Sequence, residues 1–325
     1  MLELRRGDAG LNRMAHISFR TALLMTMPPL LWAGNAVVGR LVAGMVPPLT
    51  LNFLRWVIAS LILLPLGWRA LRDPQVLRGR WLYLLVIGTL AMSMYNALQY
   101  LALTTTTPLN VTLIAASMPV AMLAVGSAFY GAHPSARQLL GAALSIAGVL
   151  VVISRGNPQA LAAVEFDRGD LYIVVAVTAW AFYSWLLVRP PASMREGARP
   201  DWDWAAFLLV QMLFGLLGAG AAAGAEQALG AKPIAWSGAV VAALLFVAIG
   251  PGIVAYRCWG LGVERGGPAL AAFFSNLTPL FAALMSTLWL RETPQWFHAL
   301  AFALIVAGIV VSARPAGNKR PASPA

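Results

Sequence analysis

The chain has 325 residues, 60% of them hydrophobic and only 11% charged, with a mean hydropathy of +0.74. A water-soluble protein needs roughly a quarter of its residues charged to cover its surface, so a soluble globule is excluded. The formal charge of +11 comes from arginines scattered between apolar runs, with only Lys232 and Lys319 as lysines, so no stripe or block offers a nucleic acid a footprint.

The apolar runs are about twenty residues long, the length that spans a ~30 Å hydrocarbon core as a helix. Arg5, Arg6, Arg13 and Arg20 lead into the first run, which continues into a helix and is read as retained rather than cleaved. Ten transmembrane helices are predicted, at 22–43, 48–68, 81–103, 108–130, 136–154, 169–189, 204–224, 237–261, 268–290 and 295–313. Between them stand turn signals such as Pro47-Pro48, Asp73-Pro74, Pro108, His133-Pro134, Gly156-Asn157-Pro158, Pro190-Pro191 and Gly266-Gly267-Pro268. No connection is long enough for a separate soluble domain. The expected organisation is a cytoplasmic segment 1–21, a first five-helix unit 22–154, a second 169–313, and a cytoplasmic tail 314–325.

With the N-terminus inside, 16 of the 23 basic residues fall in inside segments and four in outside loops, which selects two cytoplasmic termini. An inner-membrane, multi-pass protein is expected. Pro119 and Pro279 are 160 residues apart, and the same offset lays Pro108 on Pro268, Pro134 on Pro294 and Gly148 on Gly308. Each half holds five helices, an odd number, so the second copy enters the membrane from the opposite side. The loop charges agree: 69–80 holds four arginines, whereas its counterpart 225–236 holds only Lys232. The fold class read from this is all-α integral membrane, ten helices as two inverted repeats, an arrangement transporters use.

Leu31-Trp32-Ala33-Gly34-Asn35-Ala36-Val37-Val38-Gly39-Arg40, then Pro47-Pro48-Leu49 and Arg55, resembles the opening of EamA-type members of the drug/metabolite transporter superfamily. Asn276-Leu277-Thr278-Pro279, followed by Leu290-Arg291-Glu292-Thr293-Pro294, is similar to the end of that domain. The resemblance covers about 22–313 as two EamA domains. It implies a ten-helix carrier, often one exporting amino acids or other metabolites. Two places depart from the family pattern: Ala132-His133-Pro134 lacks the acidic residue, and Arg55 has Gln211 as its counterpart in helix seven. The two halves have therefore diverged, and the site need not be symmetric.

Polar side chains inside a membrane are costly, so each is a candidate for function. Arg55 lies seven residues past Pro48, ~10 Å deep at 1.5 Å per residue, as an anchor for an anionic group or as a structural arginine. Arg40, one turn from its helix end, either contacts substrate or snorkels. Tyr95, Asn96, Gln99 and Tyr100 share one side of helix three. With Trp32 and Asn35 on helix one and Trp180, Tyr183 and Ser184 on helix six, they could line a pocket for a neutral or zwitterionic solute. The alternative is ordinary helix bridging by amides and hydroxyls. Asn276, beside Pro279, completes the substrate-binding set of Trp32, Asn35, Arg40, Arg55, Tyr95, Asn96, Gln99, Trp180, Tyr183 and Asn276. A lone Cys258 and three scattered histidines give no metal or cofactor site. No acidic residue falls mid-helix, which leaves a proton relay without a member. No Walker A sequence occurs, so ATP does not drive this chain. The expected partners are a small-molecule substrate and membrane lipid. The reading is an exporter of small organic metabolites such as amino acids, by alternating access. A membrane-embedded lipid-modifying enzyme or a non-transporting receptor is the alternative. The enzyme would want His, Asp, Glu, Cys or Ser clustered near one interface, which the scattered histidines and loop acids do not offer, and the inverted repeat argues against the receptor.

Overall fold

The computed structural model describes residues 18–102, 105–162, 164–165, 167–195, 197–290 and 295–313. They form helices and connections, with no strand among the described residues. We label the main helices α1 (Phe19–Leu41), α2 (Pro48–Gly67), α3 (Trp81–Ala102), α4 (Pro108–Ala115), α5 (Met118–Tyr130), α6 (Ala136–Ile153), α7 (Arg168–Val188), α8 (Trp204–Ala228), α9 (Gly238–Ser275), α10 (Leu277–Leu290) and α11 (Trp296–Ala313). Eight of the described helical stretches are long and apolar enough to cross a membrane. Their outward faces carry bare Leu61, Leu66, Leu139, Leu140, Leu171 and Leu217, a surface suited to lipid rather than water.

Local chemistry sets the starts. Ser18, Thr107, Ser135, Asp203 and Ser237 each accept a backbone N–H of the first turn, and Asp167 and Asp170 cap α7 reciprocally. At Pro48, where the preceding residue offers no side-chain cap, Glu226 arrives from the far end of α8. It accepts the N–H groups of Leu49 (2.9 Å) and Thr50 (2.7 Å) and the Thr50 hydroxyl (2.7 Å).

Interior breaks follow proline and glycine. The helix read from sequence as 108–130 is divided between α4 and α5, next to Pro119, which has no N–H to donate. α9 turns sharply at Gly267, whose φ of 81° suits glycine, and Pro268 restarts it. The segment that follows also stops short, at Asn276, before α10. Close packing rests on glycine: a Cβ on Gly141 would lie 2.7 Å from the Gly308 carbonyl, and one on Gly88 2.6 Å from the Gln211 carbonyl. α6 lies along α11, α2 along α8, α1 against α9 and α10, and α7 against α3 and α5.

Candidate functional site

Two helices are distorted at places 160 residues apart. Thr89–Met94 in α3 and Ala248–Val254 in α9 are π-helical, a widening that interrupts the i→i−4 ladder and is frequent at functional sites. In α3 the freed carbonyls are claimed by side chains from three helices. Ala91 O accepts from Asn96 Nδ2 (3.0 Å) and from the Tyr256 hydroxyl (2.9 Å). Met92 O accepts from Asn52 Nδ2 and Trp56 Nε1, both at 3.1 Å. The α9 segment contains Pro251, which supplies no N–H and so accounts for the break there.

The Tyr256 bond anchors one member of an aromatic cluster centred on Trp180, which is 1% exposed. Around its ring lie Trp32 (5.3 Å between centroids), Tyr95 (4.9 Å), Tyr183 (5.1 Å), Tyr256 (5.5 Å) and Trp259 (5.3 Å). Trp32 and Tyr256 meet it edge-on, at 86° and 90°, the arrangement the ring quadrupoles favour. Ser184 fixes two members, accepting from Trp259 Nε1 (3.1 Å) and donating to the Trp180 carbonyl (2.8 Å). Trp32 and Tyr95 are less completely buried than Trp180, so the cluster is most open on their side.

Arg55 borders the cluster. Its guanidinium lies 4.4 Å over the Trp56 ring, and Trp56 meets Tyr256 at 5.0 Å. The side chain is buried, and its Nε has no hydrogen-bond partner. Gln211, its counterpart in the second half, is also buried. Its Nε2 reaches the Phe207 carbonyl (3.3 Å), while its Oε1 has no partner.

Of the residues singled out from sequence, Trp32, Tyr95, Trp180 and Tyr183 come together here, with Arg55 and Asn96 beside them. Asn35 and Gln99 are half-buried, and Arg40 is exposed at the end of α1. Asn276 lies elsewhere, donating to Ala116 O (3.3 Å) and Ser145 Oγ (2.9 Å). Ala116 is its own repeat counterpart, so this bond joins the two helix breaks. Arg291, Glu292, Thr293 and Pro294 lie outside the described residues. Sequence reasoning missed Tyr256, Trp259, Asn52 and Trp56. The 160-residue offset contained a signal for the first two, since it lays Asn96 on Tyr256 and Gln99 on Trp259. A separate cavity of about 430 Å³ lies at the end of α2, lined by Arg69, Asp73, Trp202 and Asp203 among others; it contains neither Arg55 nor any residue of the aromatic cluster.

A multi-pass helical membrane protein with a central aromatic and polar site fed by both halves of the chain is a membrane transporter in class. The EamA-like transporter family matches residues 19–154 and 167–314, and the chain belongs to it. It is 26% identical to an uncharacterized transporter of Archaeoglobus fulgidus over 295 residues, covering 90% of this chain and 97% of the relative. It is likewise 26% identical to the aromatic amino acid exporter YddG of Ancylobacter novellus over 284 residues, covering 87% and 93%. A crystal structure 24% identical in sequence superposes with a TM-score of 0.71, over 90% of this chain and 96% of the other.

Proposed function

We propose that the protein exports small organic metabolites, amino acids among them, by alternating access, with no ATP hydrolysis and no covalent change to its cargo. The observation that carries this is the cluster at Trp180, which draws Trp32 and Tyr95 from the first half and Trp180, Tyr183, Tyr256 and Trp259 from the second. A cargo held there touches both halves, so a rocking motion between them changes its access without moving the site. The exporter relative, whose name specifies aromatic amino acids, supports the class of cargo.

The same reading takes the chain as ten spans in two inverted repeats, in an inner membrane, with both termini cytoplasmic. The π-helical segments and the breaks at Ala116 and Asn276 recur at the repeat offset. Exchange of the halves also carries the packing of α1 on α9 and α10 onto that of α7 on α3, α4 and α5. The direct test is counterflow in proteoliposomes against a panel of amino acids, nucleosides and sugars. Exchange of at least one class, reduced by Trp180→Ala in protein that remains folded, is expected. Absence of exchange for every class overturns the reading.

A further inference from the structure

Arg55 is the feature that transport in general leaves unexplained. Its side chain is 2% exposed and its Nε is unpartnered. Among the described residues, the other ionised side chain buried to this degree is Asp170. That carboxylate is engaged elsewhere, accepting from Thr106 Oγ1 (2.7 Å), Asn110 Nδ2 (3.0 Å) and the Asp167 N–H (2.8 Å). A cation removed from water without a counter-ion is strongly unfavourable, and a guanidinium presents a fork of N–H donors whose natural partner is a carboxylate.

Position links this charge to the aromatic cluster. The guanidinium rests on Trp56, Trp56 on Tyr256, and Tyr256 on Trp180. The site thus has a cationic end and an end of flat apolar surface. It offers an ammonium no ion pair: among the described residues no acidic side chain takes part in the cluster, and Arg55 repels a second cation.

We propose that the site takes monocarboxylates carrying a flat apolar group, with the carboxylate on Arg55 and the apolar group against the rings around Trp180, and that an α-ammonium is not required for recognition. The inference rests on the transporter reading above. An aromatic amino acid is then one member of a wider class that includes the same skeleton without its amine.

Four compounds separate the possibilities at neutral pH: 3-phenylpropionate, phenylalanine, 3-phenylpropanamide and phenethylamine. Each is titrated against the purified full-length protein in detergent, followed by tryptophan fluorescence. The two acids should bind within about threefold of each other, and the amide and the amine at least about tenfold more weakly, the usual scale for a lost hydrogen bond to a charged group. Arg55→Gln should bring the acid to the level of the amide, with Arg55→Lys between. Equal binding of acid and amide by the wild-type protein overturns the inference without any variant, as does phenethylamine binding as tightly as the acid, or an Arg55→Gln protein that keeps its preference. If none of the four binds while the proteoliposome panel shows another metabolite exchanged, this inference falls and the transporter reading stands. If the panel too shows no exchange, both fall.

Discussion

Gly88→Ala tests whether the approach of α3 to α8 is as close as the structure has it. The added Cβ would lie 2.6 Å from the Gln211 carbonyl oxygen and 2.7 Å from the Gly215 nitrogen. Both are backbone atoms, so no rotamer change relieves the contact and the helices must separate. Overpacking of this kind costs about 1–3 kcal/mol, set against a gain of about 1 kcal/mol for alanine over glycine inside a helix. Gly224 calibrates the second quantity, since it lies in α8 with nothing within 4 Å of its Cβ position. The difference between Gly88→Ala and Gly224→Ala therefore isolates the contact at about 1–3 kcal/mol in favour of the latter. Thermal unfolding of the purified proteins in one detergent measures the order of midpoints. Gly88 also directly precedes the π-helical segment whose carbonyls hold Tyr256 and Trp56, so counterflow should fall along with stability. A second variant sharpens the test. Gly215→Ala meets the Gly88 carbonyl at 2.9 Å, and once the helices have parted for one methyl the second costs less, so the double variant should be less damaged than the sum of the two. A Gly88→Ala protein that melts at or above Gly224→Ala would refute the packing as described.

Glu226→Ala removes a carboxylate that accepts three donors at the start of α2; it should lower stability by about 1.5–3 kcal/mol, read as a fall in the unfolding midpoint, with Glu226→Gln between. Reporter fusions at Gln159 and Met194 should give opposite signals, periplasmic at the first and cytoplasmic at the second, and matching signals would end the inverted-repeat reading. With no acidic side chain in the aromatic cluster, counterflow at one pH on both sides should be robust, and an imposed proton gradient should add little. Strong gradient-driven accumulation that vanishes on changing Glu264 would show that a carboxylate takes part after all.

Much of this architecture was legible because membrane helices announce themselves by length and hydropathy: the run read as 48–68 is Pro48–Gly67, and 136–154 is Ala136–Ile153. The interruptions were harder to read. A π-helical turn leaves hydropathy unchanged, and the visible hints were Gly88 ahead of one segment and Gly250-Pro251-Gly252 within the other. The helix read as 237–261 continues to its turn at Gly267, since Glu264 and Arg265 end an apolar run without ending a helix. Trp32, Tyr95, Trp180 and Tyr183 could be picked out as aromatic residues deep in their helices. Tyr256 and Trp259 flank Arg257 and Cys258, and the one-dimensional pattern does not say which side of α9 faces inward. Packing decides that, turning Tyr256 to the Ala91 carbonyl and Trp259 to Ser184.

The two family repeats share helix interruptions near the 160-residue offset and differ in side chains where they meet. Asn96 and Tyr256 occupy matching positions and converge on one carbonyl, that of Ala91. Gln99 matches Trp259, Arg55 matches Gln211, and Ala116 matches Asn276, which bonds to it. In the first two pairs the first half supplies an amide and the second an aromatic face, and in the third the first half supplies the charge. The proposed rocking about a shared site would require only that the halves have similar frames, and the recurring π segments and helix breaks are consistent with that. Holding a cargo with one polar end and one apolar end requires that the surfaces carried on those frames be unlike. A symmetric pair of arginines at 55 and 211 would bury two uncompensated cations, and a single carboxylate could neutralise only one. On the proposed reading, divergence at these positions is what a repeated frame needs in order to hold an asymmetric molecule, with a buried charge at Arg55 where the other repeat has the neutral amide of Gln211.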